Sequence, residues 1–145
     1  MSNIFSINKA IKPFNKTLQI EGDKSLSIRW ALIASQSEHK SKSINLLLSE
    51  DVINTLKCLR KLGVKIKIRK NFCEINGVGL NGFKYKNNLV LDAGNSGTLG
   101  RLILGLLTHS KKTIKLKGDQ SLSKRDFLRI IEPLKKFGAK FKSNF

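Results

Sequence analysis

The sequence lacks most of the features that assign a protein quickly. Its two cysteines, Cys58 and Cys73, have no second pair and no histidine cluster beside them. That argues against a disulfide framework or a metal site and leaves reduced structural thiols as the expectation. The two histidines, His39 and His109, each follow an expected helix at a polar turn and read as loop residues, not ligands. No apolar run reaches the roughly eighteen residues that a membrane-crossing helix needs. Acids are scarce, at 10 against 28 Lys and Arg, and none occurs before Glu21. A basic N-terminus of that kind is a weak hint of a targeting peptide. It has no continuous apolar core, however, and its spacing fits short strands, so residues 1–21 read as part of the fold of a cytoplasmic protein.

What is present is lysine and a sizeable apolar fraction. The hydrophobic share of 40% and eight Phe point to a folded chain, and 145 residues suffice for one domain with a modest core. The net charge of +18 raises the possibility of a nucleic-acid partner. Only six of the cations are Arg, however, and the lysines are scattered through every segment. There is no basic tail and no basic stripe interleaved with aromatics. A solvated lysine-rich surface is therefore favoured over a polymer-binding one.

Apolar periodicity predicts four helices, over 24–36, 51–62, 97–107 and 126–137. The first is apolar at Leu26, Trp30, Ile33 and Ala34. The second carries Val52, Leu56, Leu59 and Leu62, with Ser49 as cap and Gly63 as stop. The third is apolar on nearly every side and is expected to be buried. The fourth contains Pro133, which conflicts with a helix interior. Short β-rich runs lie between them at 18–20, 43–46, 64–69, 72–75, 89–91, 113–116 and 139–141. The alternation predicts an α/β protein.

The pattern also repeats. Asp51-Val-Ile, then Leu59-Arg-Lys-Leu-Gly63-Val-Lys-Ile, matches Asp126-Phe-Leu, then Leu134-Lys-Lys-Phe-Gly138-Ala-Lys-Phe, at an offset of 75. Lys42-Ser-Ile44 matches Lys112-Thr-Ile114 at an offset of 70. Two copies of one supersecondary unit account for the chain from about Thr17 onward. The change of offset places five extra residues within 118–125 of the second copy, and an insertion at a loop tip is often where function is added.

Three polar segments stand at the mouths of helices. Gly22-Asp-Lys-Ser-Leu-Ser-Ile-Arg29 places Ser25 and Arg29 on one face with Lys24 at the helix start, a suitable place for an anion. Asp92-Ala-Gly-Asn-Ser-Gly-Thr98 leads into the third helix, where Arg101 needs an acidic partner or a ligand. Gly118-Asp-Gln-Ser-Leu-Ser-Lys-Arg125 sets two cations beside hydroxyls, and Arg can grip a phosphate or carboxylate in bidentate fashion. Taken singly, each also reads as a capped helix or turn with solvated cations. The glycine turn is neither a Walker A loop nor a Rossmann fingerprint.

Taken together and in order, the three segments closely resemble the EPSP synthase family, from about Leu18 to the last residue and including Leu-x-Ser-x-Asp at 47–51. The resemblance implies the enolpyruvyl transferase fold, built of repeated βαβαββ-type units. It also implies transfer of the enolpyruvyl group of phosphoenolpyruvate to shikimate-3-phosphate, with release of phosphate and without metal or organic cofactor. On this sequence, Lys24, Ser25 and Arg29 would hold shikimate-3-phosphate. Lys24, Asn95, Gly97 and Arg125 would serve phosphoenolpyruvate. Lys24 would also assist proton transfer as the catalytic residue, a role suited to a lysine crowded by cations. Gly97 would make a pocket sensitive to glyphosate.

Two departures occur: Ile28 stands where many relatives carry His or Asn, which would remove a polar group beside shikimate, and Asp126 stands where Pro is usual. The larger departure is length. Members are two-domain proteins roughly three times this size, with the site in the cleft between domains. The chain is thus expected to be an N-terminal fragment, inactive alone and in need of a C-terminal half. Residues 1–21 would belong to the second domain, and residues 22–145 would form two units of the first, with exposed apolar edges. Two alternatives stand behind this reading: a basic nucleic-acid-binding module, and a sister enolpyruvyl transferase acting on UDP-N-acetylglucosamine. The sister family lacks the Lys-Ser-x-Ser-x-Arg segment.

Overall fold

A computed structural model describes residues 6, 8–10, 12, 13, 15–69 and 72–142. The element order is α1 (Lys24–Ser35), β1 (Lys40–Ile44), α2 (Glu50–Lys61), β2 (Lys65–Arg69), β3 (Phe72–Asn76), β4 (Leu89–Asp92), α3 (Gly97–Leu106), β5 (Ile114–Lys117), α4 (Gln120–Ser123) and α5 (Leu128–Lys136). The expected α/β alternation is what the chain adopts.

β3 runs antiparallel between β1 and β2, so these two are parallel to each other and joined through α2. β4 and β5 form a separate parallel pair, joined through α3. Period-two alternation sends Cys73 and Ile75 of β3 into the core, while Phe72, Glu74 and Asn76 stay on the other face. α1 packs against α2 and α3. Ile28, Ala31 and Leu32 of α1 meet Val52, Leu56 and Leu59 of α2, Ile75 of β3, and Leu99 and Ile103 of α3 in one cluster. Each such aliphatic side chain contributes about 1.5–3 kcal/mol relative to exposure.

The cysteines belong to that core as free thiols. Burial pushes both thiols above their ordinary pKa, which keeps them in the unreactive protonated form. Cys58 also donates to the Asp92 carbonyl at 3.2 Å, tying α2 to the end of β4.

Several expectations need correcting. α1 buries Ser27, Ile28, Ala31, Leu32, Ala34 and Ser35, whereas Leu26 and Ile33 face outward at 67% and 72% exposure. Ile28 and Leu32, together with the small residues around them, form the close-packed face. α3 is not wholly buried: Leu102 is 40% exposed and the far side is open. Ser49 occupies the cap position of α2 without a capping bond, and its hydroxyl is buried without a partner.

Residues 18–20 and 139–141 form no strand. The first of these stretches is exposed, at 71% for Leu18 and 78% for Ile20, and is held by Asn45 Nδ2 donating to the Ile20 carbonyl at 3.0 Å. Within 1–21, residues 1–5, 7, 11 and 14 lie outside the described residues. The inserted 118–125 segment, expected as a loop, contains the short helix α4. α5 begins at Leu128 and retains Pro133 inside it. Asp126 serves its entry, the carboxylate accepting from Leu128 N at 2.7 Å.

Candidate active site

The first polar segment opens α1. Asp23 caps the helix by accepting from Leu26 N at 2.6 Å, and Ser27 Oγ accepts from Leu47 N at 3.2 Å, which fixes the helix start against the chain after β1. Lys24 extends toward the first turn of α2, where its ammonium lies 3.1 Å from Asp51 Oδ2. Its ionic partner is thus acidic, unlike the cationic crowding expected of it. Ser25 and Arg29 share a face, and Arg29 Nη1 donates to the Ser25 carbonyl at 3.1 Å. Ile28 is fully buried in the core.

The second segment turns sharply between β4 and α3. Asp92 Oδ1 accepts from Gly94 N at 2.9 Å, and Gly94 takes φ 55°, a left-handed conformation that suits glycine. A Cβ at Gly94 would also meet Asn54 Nδ2 at 2.5 Å. Asp51 and Asn54 sit on adjacent turns of α2, so this helix bridges the first segment to the second. The Asp92 carboxyl is held below the ordinary aspartate range by Lys117, 2.9 Å away, and then by the Gly94 amide. Ser96 caps α3, accepting from Leu99 N at 3.3 Å.

The third segment closes against the second. Asp119 N donates to the Gly94 carbonyl at 2.9 Å. Asp119 caps α4 through Leu122 N at 2.7 Å and accepts from Asn95 Nδ2 at 2.6 Å. Arg125 Nη2 donates to Asn95 Oδ1 at 2.6 Å. Arg101 rises from α3 toward the same place: its Nη2 donates to the Asp126 carbonyl at 3.1 Å and its guanidinium stacks 5.3 Å from the Phe127 ring. A Cβ on Gly97 would lie 2.9 Å from Nη1 of both Arg101 and Arg125. Two guanidinium groups therefore converge on the bare backbone at the N-terminus of α3. Among the described residues neither has a carboxylate within 4.0 Å, and Arg101 Nε is buried without a partner.

Two unneutralised guanidinium groups above the first turn of a helix are arranged to receive an anion. Asn95, Gly97 and Arg125 are thus brought together directly, whereas Lys24 touches α2 at Asp51, one turn before the Asn54 that faces Gly94. Ser25 and Arg29 lie on α1, and among the described residues no hydrogen bond or ion pair joins either of them to the Gly97 cluster. A concavity of about 830 Å³ lined by Ile20, Asn45, Ile68 and Phe72 contains none of the six candidate residues.

A family model described as EPSP synthase (3-phosphoshikimate 1-carboxyvinyltransferase) matches residues 8–144. The chain belongs to the EPSP synthase family. A 3-phosphoshikimate 1-carboxyvinyltransferase of Ruthia magnifica subsp. Calyptogena magnifica is 44% identical over 137 residues, covering 92% of this chain and 31% of the relative. One from Bacillus cytotoxicus is 42% identical, covering 88% and 30% respectively. The solved EPSP synthase of Acinetobacter baumannii superposes with a TM-score of 0.82 at 36% identity, over 88% of this chain and 29% of that one. The chain therefore spans about 30% of the length of the EPSP synthases it matches.

The sequence pointed to Lys24, Ser25, Arg29, Asn95, Gly97 and Arg125 but passed over Asp51, Asn54 and Asp119. Asp51 ends the Leu-x-Ser-x-Asp run and Asp119 follows Gly118 as Asp23 follows Gly22, so a signal existed for both. Asn54 had none.

Proposed function

We propose that this chain supplies one wall of the site at which EPSP synthases transfer the enolpyruvyl group of phosphoenolpyruvate to shikimate-3-phosphate, in the cytoplasm. The observation that carries it is the convergence of Arg101 and Arg125 on Gly97, beside Asn95 and free of carboxylates. A multiply anionic substrate meets fixed donors there, and side chains already in place need little rearrangement as charge shifts during the reaction.

Arg125 grips the anionic groups of phosphoenolpyruvate, with Asn95 and the Gly97 backbone alongside. Lys24, Ser25 and Arg29 hold shikimate-3-phosphate from the α1 side. The 5-hydroxyl adds to the enol carbon, and the tetrahedral intermediate collapses with departure of phosphate. Lys24, held at the site edge by Asp51, is placed to pass a proton between the two substrates. Residues 22–145 act as two repeated units of one domain, and residues 1–21 pack on a second domain that closes over the site. The remaining portion found in the longer relatives supplies the opposing wall.

The test is titration of the chain with shikimate-3-phosphate, followed by a phosphate-release assay after mixing with the C-terminal portion of a relative. Binding together with turnover only in the mixture is the expected result. Absence of both would leave a member of the fold without the activity. Turnover by the chain alone would show that the opposing wall is dispensable.

A further inference from the structure

Arg125 carries more weight in this reading than any other side chain, and among the described residues no carboxylate lies within 4.0 Å of it. What aims it is an amide. An asparagine side chain has one donor end and one acceptor end, and only its surroundings decide which faces which neighbour. Asp119 decides it here. One of its oxygens is engaged by Leu122 N at 2.7 Å and the other accepts from Asn95 Nδ2 at 2.6 Å. The acceptor end of Asn95 is left to face Arg125, whose Nη2 donates to it at 2.6 Å. Were the amide reversed, its oxygen would confront the Asp119 carboxylate and its NH₂ would confront the guanidinium, acceptor against acceptor and donor against donor. The hydrogen bond from Leu122 N, and then that from Asn95, hold the Asp119 carboxyl below the ordinary aspartate range, so it is an acceptor at neutral pH.

We propose that Asp119 is a positioning residue for Arg125, acting through the Asn95 amide to aim the guanidinium across Gly97. The arrangement solves a specific problem. A carboxylate paired directly with Arg125 would orient it but would also cancel the charge that a phosphate or carboxylate ligand requires. An interposed amide transmits direction and leaves the charge available. The anchors at both ends are rigid: Asn95 lies between Gly94, pinned by Asp92 and by Asp119 N, and Ser96, the cap of α3. Asp119 is itself the cap of α4, and Arg125 N closes the end of that helix by donating to the Leu122 carbonyl at 3.0 Å.

This assignment rests on Arg125 being a phosphoenolpyruvate ligand, and the experiment separates the two. Asp119→Asn keeps a side-chain oxygen for Leu122 N and so keeps the cap, but it presents an NH₂ to Asn95 and reverses the polarity of the relay. Asp119→Glu keeps the carboxylate. Arginine-selective ¹⁵N spectra of the chain report how slowly the Arg125 guanidinium rotates, and titration with phosphoenolpyruvate reports affinity. Asp119→Asn is expected to speed that rotation and weaken binding about tenfold, in the range of losses seen for outer-shell orienting groups, at unchanged thermal midpoint. Asp119→Glu is expected to restore most of both. Unchanged rotation and affinity in Asp119→Asn, while Arg125→Ala loses binding, would overturn the role of Asp119 alone. Unchanged binding in Arg125→Ala, or none in the parent chain, would overturn the role of Arg125 in phosphoenolpyruvate binding, and the rotation measurement would still decide whether Asp119 orients it.

Discussion

The two copies of the repeat reach the same local structure and very different burial. An offset of 75 carries Leu59, Leu62, Gly63 and Val64 onto Leu134, Phe137, Gly138 and Ala139. Gly63 and Gly138 take φ 90° and 91°. Val64 N donates to the Leu59 carbonyl at 3.1 Å, and Ala139 N donates to the Leu134 carbonyl at the same distance. Both helices therefore end by the same left-handed glycine closure. Yet Leu62 is fully buried and Phe137 is 88% exposed. The two copies diverge beyond the glycine. After Gly63 the chain enters β2, pairs with β3, and returns so that Lys84 N donates to the Leu62 carbonyl at 2.9 Å. After Gly138 no strand is present among the described residues, and α5 buries Ile131 alone. Local pattern thus sets helix and stop, whereas burial depends on later strands that the pattern does not contain.

The comparison is sharpest in the core. Leu59→Ala should cost about 2–5 kcal/mol, as for a large aliphatic removed from a packed interior. Its counterpart Leu134→Ala should cost under about 1 kcal/mol, because Leu134 is only partly covered. Denaturant midpoints of the two variants measure this, and equal losses would mean that the second copy is packed as tightly as the first.

The proposed site has the opposite asymmetry, since the converging arginines belong to the second copy. Gly97→Ala would put a methyl 2.9 Å from both guanidinium groups. A displacement of that kind is expected to weaken phosphoenolpyruvate binding by on the order of tenfold to a hundredfold, with little change in stability. Binding unchanged in this variant would show that the ligand lies elsewhere.

Much of this was legible in the sequence. Helix periodicity placed α1, α2 and α3 within a residue or so at each end, because their buried faces recur at helical spacing. The three polar segments were also visible, since capping residues and glycine turns are local chemistry. What the sequence did not expose was set at a distance. Leu26 and Ile33 look like core residues and are not, because α1 turns the stripe of Ile28, Ala31, Leu32 and Ser35 to the core instead. The insertion hides α4, which is too short to show a period. The Asp119–Asn95–Arg125 chain joins residues 24 and 30 positions apart, and no spacing rule reveals it.

The second copy also carries the clearest acid-sensitive contact. Asp92 is held below its ordinary pKa by Lys117 and the Gly94 amide. A depressed folded-state pKa gives stability that is present above the unfolded value, about 3.9, and lost as pH falls through the folded one. The side chain is 48% exposed, so the effect should be small. Asp92→Asn should be slightly less stable than the parent at pH 7 and should converge with it in acid. Parallel urea midpoints from pH 7 to pH 3 would show that the Lys117 pair contributes nothing.

Phe137 gives the smallest effect and the most direct test of the contrast between the copies. An exposed aromatic loses no buried area when replaced, so Phe137→Ser should leave stability within about 0.5 kcal/mol. Leu62→Ser at the matching position removes a fully buried side chain and leaves a hydroxyl in an apolar site, at a cost of several kcal/mol, roughly the sum of a cavity and an unpaired polar group. Chemical denaturation of the two variants compares one residue pair within a single repeat, at the same backbone angles and the same helix stop. A loss above about 1 kcal/mol for Phe137→Ser would mean that this side chain is covered in solution, and that the second copy completes its core by contacts other than those within the described residues.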